Sequence, residues 1–281
     1  MSGPDHPNPS ATPVQKMRLR YAKRGRLRFA SHRDIARVFE RALRRAGVPM
    51  AHSQGFSPRP KISWQGAVPT GTSSEAEYVE LQLAERVDPS ALLEQLRGAL
   101  VAGIEPLEAV EAGGAALSER LEASRWRLDF PGVPVERLTA AVEQLLAAER
   151  VEVRRMGKNG QRVLDAREPL VSAEVVDGVL DGARGTALGD RDPARGPDVD
   201  DGPKNADPYG ILVVVVRQTT PAVRPDDVLN ALRVVADQAL PDAAEAVRLQ
   251  QGRLDDAGGL VDPFAPDRAT AGPRRGSLAA G

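Results

Sequence analysis

The apolar residues of this chain change their spacing in a fixed order, and that order is the strongest constraint on what it can fold into. Near the N-terminus Leu19 and Tyr21 alternate with Arg18 and Arg20, the period of a half-buried strand. The stretch from Met17 to Phe29 reads as strand, turn, strand, or as one long strand bulged at Gly25. From Ile35 the spacing lengthens: Ile35, Val38, Phe39, Ala42, Leu43 and Ala46 fall three or four apart and mark one helix face. Strand spacing returns near Ile62–Val68 and over Glu77–Val87, where Val79, Leu81 and Leu83 alternate with Tyr78, Glu80 and Gln82. Asp88-Pro89-Ser90 then opens a helix running to about Val101, and 103–111 supplies a short strand. The order is β-α-β-β-α-β, that of a ferredoxin-like unit.

The pattern recurs. Arg125–Phe130 is a strand, and Pro134 opens a helix with Leu138, Ala141, Val142, Leu145 and Leu146 on one face. Val151–Arg155 is a strand followed by a hairpin turn at Asn159-Gly160. Tyr209–Gln218 is a continuous apolar strand, Pro225 opens a helix to about Leu240, and Val247–Leu249 forms a last short strand. Pro89, Leu93 and Leu96 match Pro225, Leu229 and Leu232 at a constant offset of 136, which points to duplication. The expected fold class is α+β, with two tandem ferredoxin-like units at 16–115 and 122–252. Residues 1–15 read as a disordered leader and 253–281 as a disordered tail. Residues 181–208 are rich in Gly, Asp and Pro, have no apolar face, and read as a disordered insert.

Composition narrows the chemistry. The 281 residues contain no cysteine, so no disulfide forms and no thiolate holds zinc or an iron–sulfur cluster. Three histidines, at 6, 32 and 52, are too few and too scattered for a metal site. No metal and no cofactor are expected. The longest apolar run, Ile211–Val216, falls well short of a membrane span, and a cytoplasmic protein is expected. There is no G-x-G-x-x-G, Walker loop, nucleophile elbow or H-E-x-x-H motif.

Charge is distributed unevenly. Residues 16–61 hold 14 basic residues against Asp34 and Glu40, a net of +12, while 62–281 carry a net of −12. Such a split speaks about partners rather than about fold. The basic excess spans strand, helix and loop, so a patch suited to phosphates is expected. Ser31 is placed to cap the helix, with Asp34 three residues on, and Gly47 and Pro49 end it. Its polar face carries Arg33, Arg37, Arg41, Arg44 and Arg45. His32 stands at the first turn, either as a satisfied polar residue, as an anion contact, or as a general base in RNA cleavage. The loop Ser53–Lys61 is held extended by Gly55, Pro58 and Pro60, and offers Ser53, Gln54, Ser57, Arg59 and Lys61 as donors. Phe56 and Trp64 either stack on bases or anchor the core. Glu75, Glu77 and Glu80 read as a solvated strand edge.

RFASHRDIARVFERALRRAGVP, SQGFSPRPKISW, Gly71 with Ser74, Glu77 and Tyr78, and GKNGQRVLDAREPL together resemble the radical-SAM-associated (radical-SAM-linked) domain of unknown function, of the stand-alone actinobacterial type. The similarity covers about Lys16 to Leu240. It departs from the family at Arg33, where leucine is common, and in the long insert. The resemblance implies a link to radical SAM enzymes, many of which modify RNA, and to ribonuclease E/G. The chain lacks the cysteines to hold a radical SAM cluster itself. By analogy of fold alone, duplicated ferredoxin-like units with a histidine on the first helix also resemble the repeat-associated RNA endonucleases of CRISPR systems.

The expected function is a non-catalytic RNA-binding or substrate-presenting module, for tRNA or another structured RNA in modification or processing. Its contacts are Arg28, His32, Arg33, Arg37, Arg41, Ser53, Phe56, Arg59 and Lys61. The alternatives are a metal-independent endoribonuclease using His32, and a protein adaptor for a radical SAM enzyme or ribonuclease E/G.

Overall fold

A computed structural model describes residues 12–157, 160–178, 209–236, 240–241 and 244–270. They form a mixed α+β architecture with a large mixed sheet and five α-helices among the described residues. The chain divides into two compact units: residues up to Gly71 with Ala76–Arg120 and those from Asp262 on, and Thr72–Glu75 with Leu121–Val261.

The first unit runs β1 (Gln15–Lys23), α1 (His32–Arg45), β2 (Ile62–Gln65), β3 (Ser73–Leu83), α2 (Pro89–Arg97) and β4 (Ile104–Glu111). Its strands lie in the order β4-β1-β3-β2. Met17, Leu19 and Tyr21 of β1 and Val79, Leu81 and Leu83 of β3 point into one core with Ile35, Phe39 and Leu43 of α1 and Leu92 and Leu96 of α2. These are the apolar positions that the two periods mark. Pro89 sits in the first turn of α2, and the Asp88 carboxylate accepts from the Ser90 and Ala91 amides.

The residues after Lys23 depart from expectation. Register with β4 ends at Lys23 opposite Ile104, so the chain has no further strand to pair with. Gly25 takes φ +56°, and Gly25–Phe29 forms a 3-10 turn instead of a second strand. The carboxylates of β3 also differ. A strand flanked by β1 and β2 has no free edge, and Glu77 and Glu80 are buried rather than solvated.

The second unit runs β5 (Ala123–Phe130), α3 (Val135–Ala147), β6 (Glu152–Gly157), β7 (Gly160–Asp165), β8 (Leu170–Gly178), β9 (Tyr209–Arg217), α4 (Pro225–Val235), β10 (Glu245–Leu254) and β11 (Leu260–Val261). Its main strands lie in the order β10-β5-β9-β8, while β6 and β7 pair as a separate hairpin. β9 pairs with neighbours along both edges, and its Leu212, Val214, Val215 and Val216 are buried. That is why its sequence is apolar without interruption. Leu138, Ala141, Val142 and Leu145 form the buried face of α3, as their spacing requires. Ser73 and Ser74 pair in parallel with Val247 and Arg248, the register that makes the sheet mixed.

The structure differs from the sequence expectations at four further places. β8 was not foreseen; the bulge between Leu170 and Ser172 breaks its alternation. β10 is ten residues long, against three expected, because it pairs with β5 from Glu245 to Gly252 and with β11 beyond. α4 ends at Val235, where Ala236 turns to extended backbone, rather than near Leu240. Residues 253–270 are also ordered into structure, closing with α5 (Ala265–Thr270), which belongs to the first unit. Phe264 packs edge-on against Tyr78 at 5.3 Å, and Asp267 is fully buried. The expected insert at 181–208, most of the leader and the end of the tail lie outside the described residues. Among the described residues no helix is long and apolar enough to cross a membrane.

Candidate nucleic-acid interface

The site begins with a well-capped helix. The Ser31 hydroxyl accepts from the Asp34 amide, and the Ser31 amide donates back to the Asp34 carboxylate. The same hydroxyl donates to Asp34 at 2.6 Å and, with the nearby Arg37 and Arg33, holds that carboxyl below its ordinary pKa. Gly47, at φ +66°, ends the helical run that Ala46 caps. Ile35, Phe39, Ala42 and Leu43 bury one face, with the Phe39 ring 4.8 Å from Tyr21 and 5.1 Å from Trp64. Once that face is buried, Arg33, Arg37, Arg41 and Arg44 can only face solvent.

Opposite them stands the loop after Ala51. The Ser53 amide donates to the Arg59 carbonyl at 2.9 Å, and the Arg59 amide donates to the Ser53 hydroxyl at 3.0 Å. Below that staple, the Lys61 amide donates to Ala51, the Ala51 amide to Gln82, and the Gln82 amide to Lys61. The loop is therefore tied to β3 at its base and closed on itself above, and Gly55 supplies φ +119° at its tip.

Helix and loop enclose a cleft of about 530 Å³ lined by Arg33, Ala36, Arg37, Glu40, Arg44, Pro58, Arg59 and Pro60. Four guanidiniums face one carboxylate. Arg37 lies 3.7 Å from Asp34, a weak exposed pair, and Arg33, Arg44 and Arg59 make no ion pair among the described residues. An arrangement of this kind favours a multiply charged anion, and the planar forks suit phosphate oxygens.

The structure separates the sequence-derived residues. Arg33, Arg37 and Arg59 meet in the cleft, joined by Arg44, which was on the basic face but not among the chosen contacts. Arg41 is exposed on the same helix, outside the cleft lining. The Ser53 hydroxyl accepts from the Arg59 amide and so staples the loop. Lys61 and Arg28 are half-buried, with Arg28 stacked over Phe29 at 4.9 Å and its carbonyl accepting from Gly71. His32 is exposed, its ring edge-on to Trp64 at 5.4 Å, and does not line the cleft. Phe56 and Trp64 part company: Trp64 packs against the core, whereas Phe56 is 94 % exposed.

The expectation that strand, helix and loop share in one basic patch is corrected for the strand. Arg18 is buried, donating to Glu80 at 3.0 Å and to both Asp267 oxygens at 2.8 Å. Arg120 joins the same Asp267 at 2.9 Å, and backbone carbonyls of Gly113, Ala115 and Pro263 take the remaining donors. Arg20 pairs with Glu108 at 3.6 Å, Arg24 with Glu105, and Lys23 donates to the Ala30 carbonyl. Arg18 and Arg20 of β1, and Arg24 just after it, are thus paired with acids far along the chain, whereas Arg33, Arg44 and Arg59 are exposed at the cleft. Among the described residues no three metal-ligating side chains gather as a metal would require.

No curated protein matches this chain. A bacterial family does match, over residues 16–225, a span that includes α1, the stapled loop and every residue lining the cleft. The chain therefore belongs to the family described as "Uncharacterized protein conserved in bacteria (DUF2344)".

Proposed function

We propose that the cleft between α1 and the stapled loop binds the phosphate backbone of RNA, and that the protein is an RNA-binding or substrate-presenting module. The observation that carries the reading is the convergence of Arg33, Arg37, Arg44 and Arg59 on one cleft, with Glu40 the one acid among the described residues that line it. Neutralising a phosphate releases condensed counterions, worth a slope of about 0.7 per contact on a single strand. Four contacts correspond to a slope of about −3, or roughly a fifty-fold loss of affinity between about 50 and 200 mM salt.

The finer fold reading belongs here as well. Strand orders β4-β1-β3-β2 and β10-β5-β9-β8 occupy equivalent places in their units, and Leu96 and Leu232 are both buried. Both facts support two ferredoxin-like units related by duplication. The resemblance to radical-SAM-linked proteins supports a place in RNA modification or processing, beside a radical SAM enzyme or ribonuclease E/G.

The test is RNA binding across a salt series by the parent and by Arg37→Glu/Arg59→Glu. The expected result is a steep salt dependence that the double variant removes together with most of the affinity. Salt-independent binding, or an unaffected double variant, sinks the reading. Capture of a protein partner that survives nuclease treatment and is lost in the double variant assigns the cleft to an acidic protein instead. Cleavage of the RNA in chelator, abolished by His32→Ala, would add catalysis.

A further inference from the structure

Phe56 is the second feature of this loop, and the arginine cleft does not explain it. The chain has five phenylalanines. Phe39, Phe130 and Phe264 are fully buried, and Phe29 lies beneath the Arg28 guanidinium. Phe56 is 94 % exposed, the most exposed of the large apolar side chains, and makes no ring contact among the described residues. A phenyl ring is among the groups that gain most from burial, so full exposure on an ordinary flexible loop would let it fold back onto the surface. Here the loop cannot relax that way. The two Ser53–Arg59 hydrogen bonds close it, Pro58 and Pro60 stiffen it, and its base is bonded to β3. The ring is held out in water by a preorganised frame, which lowers the entropic cost of any partner that covers it.

Its neighbours define the partner. Pro58, two residues on, and Arg59 both line the arginine cleft. Two residues of chain span at most about 7 Å, so the exposed ring is carried on the backbone next to the cationic cleft. A flat apolar face beside a row of guanidiniums matches a nucleotide whose base is free to stack while its phosphates enter the cleft. A base inside a duplex cannot do this, because both of its faces are already covered by its neighbours.

We propose that the site selects unpaired nucleotides, with Phe56 as the stacking platform, so that its ligand is a single strand, loop or frayed end of RNA and not a continuous duplex. This rests on the phosphate-binding reading of the cleft. The same geometry accepts single-stranded DNA, because no group on the loop has been assigned to the ribose hydroxyl.

The experiment compares four probes on the full chain: a short single-stranded RNA, the DNA of the same sequence, the RNA annealed to its complement, and the RNA carrying abasic sites. The parent is expected to prefer both single strands to the duplex and to the abasic strand. Phe56→Ala should weaken the single strands about tenfold and leave the duplex, the abasic strand and the salt slope unchanged. Phe56→Trp should keep the preference and show indole quenching on binding beyond any that Trp64 and Trp126 give in the parent. Equal binding of all probes, or a Phe56→Ala variant with the parent's preference, overturns the inference. If Arg37→Glu/Arg59→Glu still abolishes binding in that case, the phosphate cleft stands without it. If the parent binds none of the probes, both fall. Loss of a captured protein partner in Phe56→Ala, with all RNA affinities intact, also overturns it and assigns the ring to protein docking.

Discussion

Arg18 and Arg37 come from the same basic stretch of sequence, and the fold uses them in opposite ways. Arg18 lies on a strand in the middle of a sheet, where each of its three guanidinium nitrogens donates to a carboxylate or a carbonyl. Arg37 lies on the outer face of a helix, beside a cleft that holds three further arginines. The partners of the first group lie 62 to 249 residues away in the chain. In the second group Arg37 meets only the exposed Asp34 at 3.7 Å, and Arg33, Arg44 and Arg59 make no ion pair among the described residues. A charge count weights the two equally. Only the place in the fold decides whether an arginine is buried in a structural tie or left exposed at the cleft.

The sharpest way to break this comparison is at Arg18. Arg18→Met leaves Glu80 buried without its main partner and removes one of the two cations on Asp267, which should cost about 3–5 kcal/mol in a denaturant titration. Asp267→Ala should cost at least as much, because it strands Arg18 and Arg120 together. If either variant is as stable as the parent and loses RNA affinity instead, the division between tie and contact is wrong.

The reverse result is expected on the cleft. Arg37→Glu/Arg59→Glu should lower RNA affinity by roughly thirty- to a hundred-fold in filter binding at low salt, through lost contacts and added repulsion. Its unfolding free energy should stay within about 0.5 kcal/mol of the parent, since both side chains are exposed.

A smaller effect separates the helix from the charge that it carries. Ser31→Ala removes the cap of α1 and should cost about 1 kcal/mol. That difference should depend on pH with a defined sign. Asp34 has a lowered pKa in the folded protein, so its contribution is present above its ordinary value and is lost as pH falls through the folded one. The gap between parent and Ser31→Ala should therefore narrow in acid; a gap that widens would contradict the bonding of Ser31 to Asp34. The smallest effect is expected from Arg41→Ala, exposed and outside the cleft lining, which should shift stability by no more than about 0.5 kcal/mol and affinity only slightly.

Much of this was legible in residues alone. The helix α1, its cap at Ser31, its end at Gly47 and its buried face were all readable, because each depends on residues a few places apart. The two motifs that meet at the cleft were equally readable, and three of the four arginines in it were chosen from them. Arg44 was seen on the basic face, but its place in the cleft depends on where the loop crosses the helix. β8 was hidden because an edge strand carrying a bulge loses its alternation. The final helix was hidden because it is short and held mainly by one buried aspartate and by Phe264, neither of which produces a periodic pattern.

The sequence by itself determined the order of strands and helices, the basic outer face of α1 and the stiffness of the loop. Periodicity, capping, glycine and proline act over a few residues, and local chemistry is enough to set them. Only the tertiary structure decided which basic residues are neutralised, which aromatic joins the core and which stays in water, and that helix and loop close on a shared cleft. Those outcomes depend on pairings between residues far apart in the chain, such as Arg18 with Asp267 and Ala51 with Gln82, and no local pattern encodes them.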